Sequence, residues 1–182
     1  MQKIVTKRNI LLALKITLPI LYVLTLIFIF SQSLQTGQVS AQTSSKVVET
    51  VQEAVKIIAP QSPIATAEGE ALDELHSTIR TLAHFAEFAL LGALASGCCL
   101  VFTWENFTQH KKYLFIGAAS LILMPLADEF IQSFTANRAA EWIDVVVDFA
   151  GGSVGFGLVL GCVFGILYLM KKHNHKERRE KA

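Results

Sequence analysis

Residues 10–30, ILLALKITLPILYVLTLIFIF, decide the class of this protein. The run is broken only by Lys15 and Pro19, and at about 1.5 Å per residue it is long enough to cross a hydrocarbon core of roughly 30 Å. The basic residues before it, Lys3, Lys7 and Arg8, would also suit a signal peptide. The run is too long for one, however, and no small-x-small cleavage site precedes the exit at Ser31–Ser33, so it reads as a retained first span.

Working outward, three more apolar runs follow, at residues 82–102, 113–134 and 143–170, the last long enough to tilt or to begin outside the hydrocarbon. Over the 182 residues, 52% are hydrophobic and mean hydropathy is +0.46, too apolar for a soluble domain of this size. Net charge is only +1, so no basic field points to nucleic acid. The charges are nevertheless unevenly placed. Lys3, Lys7 and Arg8 precede span one, Lys111 and Lys112 separate spans two and three, and Lys171, Lys172, Lys176, Arg178, Arg179 and Lys181 follow span four. Cytoplasmic segments carry the Lys/Arg excess, so both termini of this multi-pass chain are expected in the cytoplasm.

The long connection, 31–79, is an outer loop in this topology. Val47, Val48, Val51, Val55 and Ile58 share a helical face opposite Lys46, Glu49, Gln52, Glu53 and Lys56, which predicts an amphipathic helix on the outer surface, ended by Pro60 and Pro63. Leu72, Leu75, His76 and Ile79 resume a helical spacing that runs into span two, with Glu68, Glu70, Asp73 and Glu74 as its solvated face. The expected fold is therefore all-α: a single membrane domain over 1–182, a bundle of four transmembrane helices, an extracytoplasmic amphipathic helix between spans one and two, and a basic cytoplasmic tail at 171–182.

Span four carries Gly151 and Gly155 at Gly-x-x-x-Gly spacing, then Gly157, Gly161 and Gly165. Small residues at this spacing let helix backbones approach closely in lipid. Packing inside the bundle is the first reading, and a homodimer seam is the second. The three cysteines, Cys98, Cys99 and Cys162, all fall in apolar runs and read as buried thiols. His76, His110, His173 and His175 lie in or beside polar segments, whereas His84 sits in an apolar run with charged neighbours.

The polar residues inside the spans carry the functional signal. Arg80, His84 and Glu87 share one face of span two; Asp128, Glu129 and Gln132 lie together on span three; Asp144 and Asp148 are four apart on span four. In the topology above, all three stripes fall at the outer ends of their helices, where Arg138 on the short loop between spans three and four can join them. Ionisable groups in hydrocarbon cost several kcal/mol each unless paired or hydrated, so such a cluster is a functional-site candidate. Carboxylates outnumber the two arginines, which makes the site acidic unless protons or a cation balance it. The conservative reading is that two Arg–carboxylate pairs pin the outer helix ends together and the remaining groups face water.

The order of these residues, Arg80-x3-His84-Phe85-x-Glu87-x4-Gly92 and then Asp128-Glu129-x2-Gln132-x5-Arg138-x5-Asp144-x3-Asp148-x2-Gly151, closely resembles the VanZ-like family of small bacterial membrane proteins, named for a protein associated with teicoplanin resistance. Phe30-Ser31-Gln32-Ser33 is similar to that family's serine-rich exit from its first helix, and the resemblance covers about residues 20–170. Phe88 stands where a tyrosine is usual, Ile131 replaces a commoner polar or aromatic residue, and Asn137 precedes Arg138 where glycine is frequent. Asparagine tolerates the left-handed backbone such a turn needs.

The resemblance implies a multi-pass protein of the bacterial plasma membrane acting at its outer face in envelope physiology, in some members lowering sensitivity to lipid-tailed glycopeptides, and it supplies no established reaction. The leading reading is a non-catalytic envelope protein whose partners are the bilayer and a lipid headgroup, cell-wall precursor or glycopeptide. Arg80 and Arg138 suit a phosphate or carboxylate, since a guanidinium binds either bidentately. The alternative is a membrane-embedded hydrolase or transferase on a lipid-linked cell-wall substrate, with His84 as general base oriented by Asp144 or Asp148. A proton-coupled transporter is a third class, disfavoured by four spans without visible repeats. No cofactor is expected, and no metal, because one histidine is a thin ligand set.

Reporter fusions test the topology. A reporter after Lys112 and another at the C-terminus should report cytoplasm, and one inserted near Ala65 should report the outside; an external signal from the C-terminal fusion would overturn the orientation.

Overall fold

The structure is a computed structural model that describes residues 2–104, 112–138 and 141–180, with side chains described over 8–104, 112–138 and 141–173. Lys111, Lys181 and His110 lie outside the described residues, as do the side chains of Lys3, Lys7, His175, Lys176, Arg178 and Arg179. The described residues form five helices: α1 (Gln2–Ser33), α2 (Gly37–Ile58), α3 (Glu70–Thr103), α4 (Lys112–Ser133) and α5 (Trp142–Glu180). Four of them contain segments long and apolar enough to cross a membrane, at Arg8–Ser33, Glu70–Thr103, Lys112–Ser133 and Trp142–His173. The protein is a multi-pass membrane protein.

Its surface supports that reading. Leu24 and Ile27 on α1, Phe115 and Ile122 on α4, and Leu158 and Leu169 on α5 all point outward and are exposed. An apolar surface of this extent is stable only against lipid tails. The side chains buried most completely include Gln132, Asp128, Asp148 and Ser33 beside Phe88, Ile29 and Val48. Two carboxylates, Asp128 and Asp148, are thus as deeply buried as the apolar core.

The polar residues cluster because the helices alternate in direction. The C-terminal ends of α1 and α4 and the N-terminal parts of α3 and α5 meet at one end of the bundle, called here the polar end. The N-terminal end of α1 and the C-terminal end of α5 lie away from it. At 39 residues, α5 is about 58 Å long, well beyond a hydrocarbon core, so the four-helix region accounts for only part of it.

Glycines set the tightest contact. A Cβ at Gly151 would overlap the Phe85 carbonyl, one at Gly155 the Ala89 carbonyl, and one at Gly92 the carbonyl of Gly152. The backbones of α3 and α5 therefore touch directly. This draws the His84 stripe against the Asp144–Asp148 stripe. Gly157, Gly161 and Gly165 have open space beyond their Cα atoms, so the two glycine series noted in the sequence face different surroundings.

Between spans one and two, Thr36 caps α2 by accepting a 3.5 Å hydrogen bond from the Val39 amide. The helix packs along α3, burying Val48 and half-burying Val51 and Val55, while Lys46, Glu49, Glu53 and Lys56 are exposed. Three details differ from the amphipathic pattern, the first being that Val47, on the apolar face, is 45% exposed. Ile58 is 85% exposed, because it closes the last turn of α2, where the chain leaves for the turn at 59–69. Gln52, assigned to the polar face, is half-buried and donates to the Ile64 and Ala67 carbonyls at 3.1 and 3.2 Å, holding that turn. α3 begins at Glu70, ahead of the apolar run, after Gly69 at φ 55°. Its first-turn acids Glu70 and Asp73 suit the positive end of the helix dipole. Cys99 is buried and Cys98 half-buried, but Cys162 is exposed: its stretch of α5 faces outward, so an apolar sequence context placed it toward lipid rather than inside.

Substitution to alanine separates the two glycine series. Gly155→Ala should lower stability in detergent unfolding by about 1–3 kcal/mol, the usual cost of overpacking. Gly161→Ala should be neutral or stabilising by up to about 1 kcal/mol through helix propensity. Equal effects would contradict the direct α3–α5 backbone contact.

Candidate functional site

On α4, Asp128 and Gln132 are one turn apart on the same face, and both are fully buried. The Gln132 Nε2 amide donates to Asp128 Oδ2 at 2.7 Å. The other carboxylate oxygen accepts from the hydroxyl of Ser33, the last residue of α1. Gln132 Oε1 accepts in turn from Arg138 Nη1 at 2.9 Å, and Arg138 Nη2 donates to the Gln32 carbonyl at 3.4 Å. Thr135 Oγ1 donates to the Ser33 carbonyl at 3.1 Å. The final-turn carbonyls of α1, which a helix end leaves without intrahelical donors, thus take hydrogen bonds from the segment that follows α4. Burial and the neighbouring Arg80 pull the Arg138 guanidinium below its usual pKa, while Asp128, Asp144 and Glu129 pull it back up.

The geometry of this short segment comes from Asn137, whose φ of 60° is left-handed. The Gly37 amide donates to the Ala136 carbonyl at 3.1 Å, and a side chain at Gly37 would collide with the Asn137 carbonyl, so the start of α2 seats on the same turn. Glu129 Oε1 accepts from the Glu141 amide at 2.5 Å, tying α4 to the approach of α5.

A second group bridges α3 and α5. Arg80 Nη2 lies 3.8 Å from Asp144 Oδ2, and His84 Nδ1 lies 3.7 Å from Asp148 Oδ1. The first is a loose, part-exposed ion pair of the kind worth about 0–1 kcal/mol. The second is too long for a hydrogen bond. Ligand atoms of His84, Asp128 and Asp148 all fall within 4.8 Å of one another, so the two groups are continuous. The Asp148 side chain is only 1% exposed, and its Oδ1, like His84 Nδ1 and Arg138 Nε, has no hydrogen-bond partner.

Beside these groups a cavity of about 250 Å³ opens between α1, α2 and α3. Arg80, His84, Glu87 and Arg138 line it, with Gln32, Gln35, Ser40, Thr43 and Ser44 as further polar groups and Phe28, Val47 and Ile79 as apolar ones. Two arginines, one from α3 and one from the segment after α4, reach the same space.

The model of the VanZ/LLP1 family matches residues 18–168. The chain belongs to this family. No curated protein and no solved structure matches it.

All the residues singled out in the sequence, Arg80, His84, Glu87, Asp128, Glu129, Gln132, Arg138, Asp144 and Asp148, lie at the polar end of this VanZ/LLP1 chain. Their pairing differs from the conservative reading of two Arg–carboxylate pairs. Arg80 meets Asp144, but Arg138 meets an amide oxygen and a backbone carbonyl. Phe88, where a tyrosine is usual, is 1% exposed and packs with Ile29 and Leu91. Ser33 and Thr135 were missed as site residues. A hydroxyl at the end of an apolar helix gives no periodic signal, and only the serine-rich exit of span one pointed there. The α2 hydroxyls of the cavity were missed because they precede the amphipathic stretch.

Proposed function

We propose that this VanZ/LLP1 chain holds an anionic headgroup, of a membrane lipid or a lipid-linked cell-wall precursor, in the cavity at its polar end, and that this end faces outward from the bacterial plasma membrane. The observation that carries the reading is the convergence of Arg80 and Arg138 on one cavity that Gln32 of α1 and Ser40 of α2 also line. Guanidinium groups and hydroxyls together recognise phosphate or carboxylate. Phe28, Val47 and Ile79 supply an apolar flank that a tethered acyl or prenyl chain can follow into the bilayer. At about 250 Å³ the cavity is below the ~300–1,000 Å³ that encloses a drug-sized molecule, so it suits a headgroup and not a glycopeptide scaffold. The Lys/Arg distribution supports the outward orientation. Reduced sensitivity to lipid-tailed glycopeptides then follows from occupancy of precursor or lipid at the depth where such drugs anchor.

Native mass spectrometry of the chain in phosphatidylglycerol and phosphatidylcholine tests this directly. Phosphatidylglycerol should be retained preferentially, and Arg80→Gln and Arg138→Gln should each weaken retention about ten- to hundredfold, the loss of one charge-assisted bond of ~1.5–3 kcal/mol. In a susceptible Gram-positive host, the wild type should raise the inhibitory concentration of teicoplanin more than that of vancomycin, and Arg80→Lys should remove the difference. Equal retention of both lipids, or variants that bind and protect like the wild type, would overturn the reading.

A further inference from the structure

We infer that His84, Asp128 and Asp148 form a binding site for a divalent transition-metal ion, inside the polar end and behind the wall of the cavity that His84 lines. The three residues come from α3, α4 and α5, and each offers one ligand atom within 4.8 Å of the others. Imidazole with carboxylate oxygens is the donor set of zinc and manganese sites.

The spacing of His84 and Asp148 points to a missing central atom. At 3.7 Å, Nδ1 and Oδ1 are too far apart for a hydrogen bond. Two ligands of one tetrahedral ion, each bonded at ~2.1 Å, stand about 3.4 Å apart. Both atoms are buried and neither has a hydrogen-bond partner. The Asp148 side chain is 1% exposed, so water at the surface does not satisfy it. A buried carboxylate oxygen without a partner costs several kcal/mol unless a proton or a cation completes it.

Charge points the same way. The nearest arginines are engaged elsewhere, Arg80 with Asp144 and Arg138 with Gln132 and the Gln32 carbonyl. Two ionised aspartates, a neutral imidazole and a divalent ion sum to zero, the cheapest charge state inside a membrane bundle. Asp128 is already oriented. Each of its oxygens accepts one hydrogen bond, from Ser33 and Gln132, and a carboxylate has about four lone-pair sites, so one remains for an ion. Gln132 is itself held by Arg138. An outer layer that fixes a ligand in this way is the usual companion of a metal site.

Metal binding is independent of the headgroup reading, and the test uses the ion alone. The full chain is purified in detergent, treated with chelator and titrated with Zn²⁺ and Mn²⁺, with Ca²⁺ as a contrast. One transition-metal ion should bind per chain, and Ca²⁺, which needs six to eight oxygens, should bind far more weakly. His84→Ala and Asp148→Asn should each weaken binding at least tenfold, while Glu49→Gln with Glu53→Gln, on the exposed face of α2, should change nothing. Zn K-edge absorption of the wild type should show nitrogen and oxygen ligands with one imidazole, a readout that does not depend on whether a variant folds. Binding below one ion per chain, sulfur ligands from Cys98 or Cys99, or variants that bind like the wild type would overturn the site.

Discussion

A carboxylate buried among membrane helices cannot borrow hydrogen bonds from solvent, so every partner must come from the protein. Asp128 is where this constraint is met most completely: a hydroxyl from α1 and an amide from its own helix take up its two oxygens. Through Gln132 the same network reaches Arg138, and through Arg138 and Thr135 it returns to the last carbonyls of α1. The ends of α1 and α4 are thereby fixed relative to one another by polar contacts, in an environment where apolar burial gives helices little reason to prefer each other over lipid.

The second constraint is steric and sits on the other pair of helices. Gly92, Gly151 and Gly155 let α3 and α5 touch backbone to backbone. That contact brings Arg80 to Asp144 and His84 to Asp148. It leaves the latter pair at 3.7 Å, too far apart for a hydrogen bond. The polar end therefore has a satisfied half around Asp128 and an unsatisfied half around Asp148. The cavity with its two arginines opens beside both. A site that recognises an anion on one side and holds a cation on the other is chemically coherent, because each charge lowers the cost of burying its opposite.

Much of this was legible in the residues. Four long apolar runs forced four helices, and charged residues within them marked the polar end, because lipid tolerates neither without a reason. Asn137 was legible as a left-handed turn residue, and its φ is positive. Ser33 was not, since a single serine after an apolar run looks like a helix exit whether it is buried or not. The split of the glycines into a packed and an open series was also hidden, because spacing gives the face of a helix and not what covers it. Arg138 looked like a partner for a carboxylate by charge alone, yet its nearest acceptors are uncharged oxygens, an arrangement set by the turn at 134–138 rather than by electrostatics.

The most direct measurement of the account is a double-mutant cycle on Ser33→Ala and Asp128→Ala, each of which removes one partner of the bond, read as unfolding free energies of the detergent-solubilised chain. If the Ser33–Asp128 bond ties α1 to α4, the two substitutions should couple by roughly 0.6–1.7 kcal/mol, between the average and the largest value for interhelical hydrogen bonds in a membrane protein. Effects that simply add, with no coupling beyond ~0.3 kcal/mol, would contradict it.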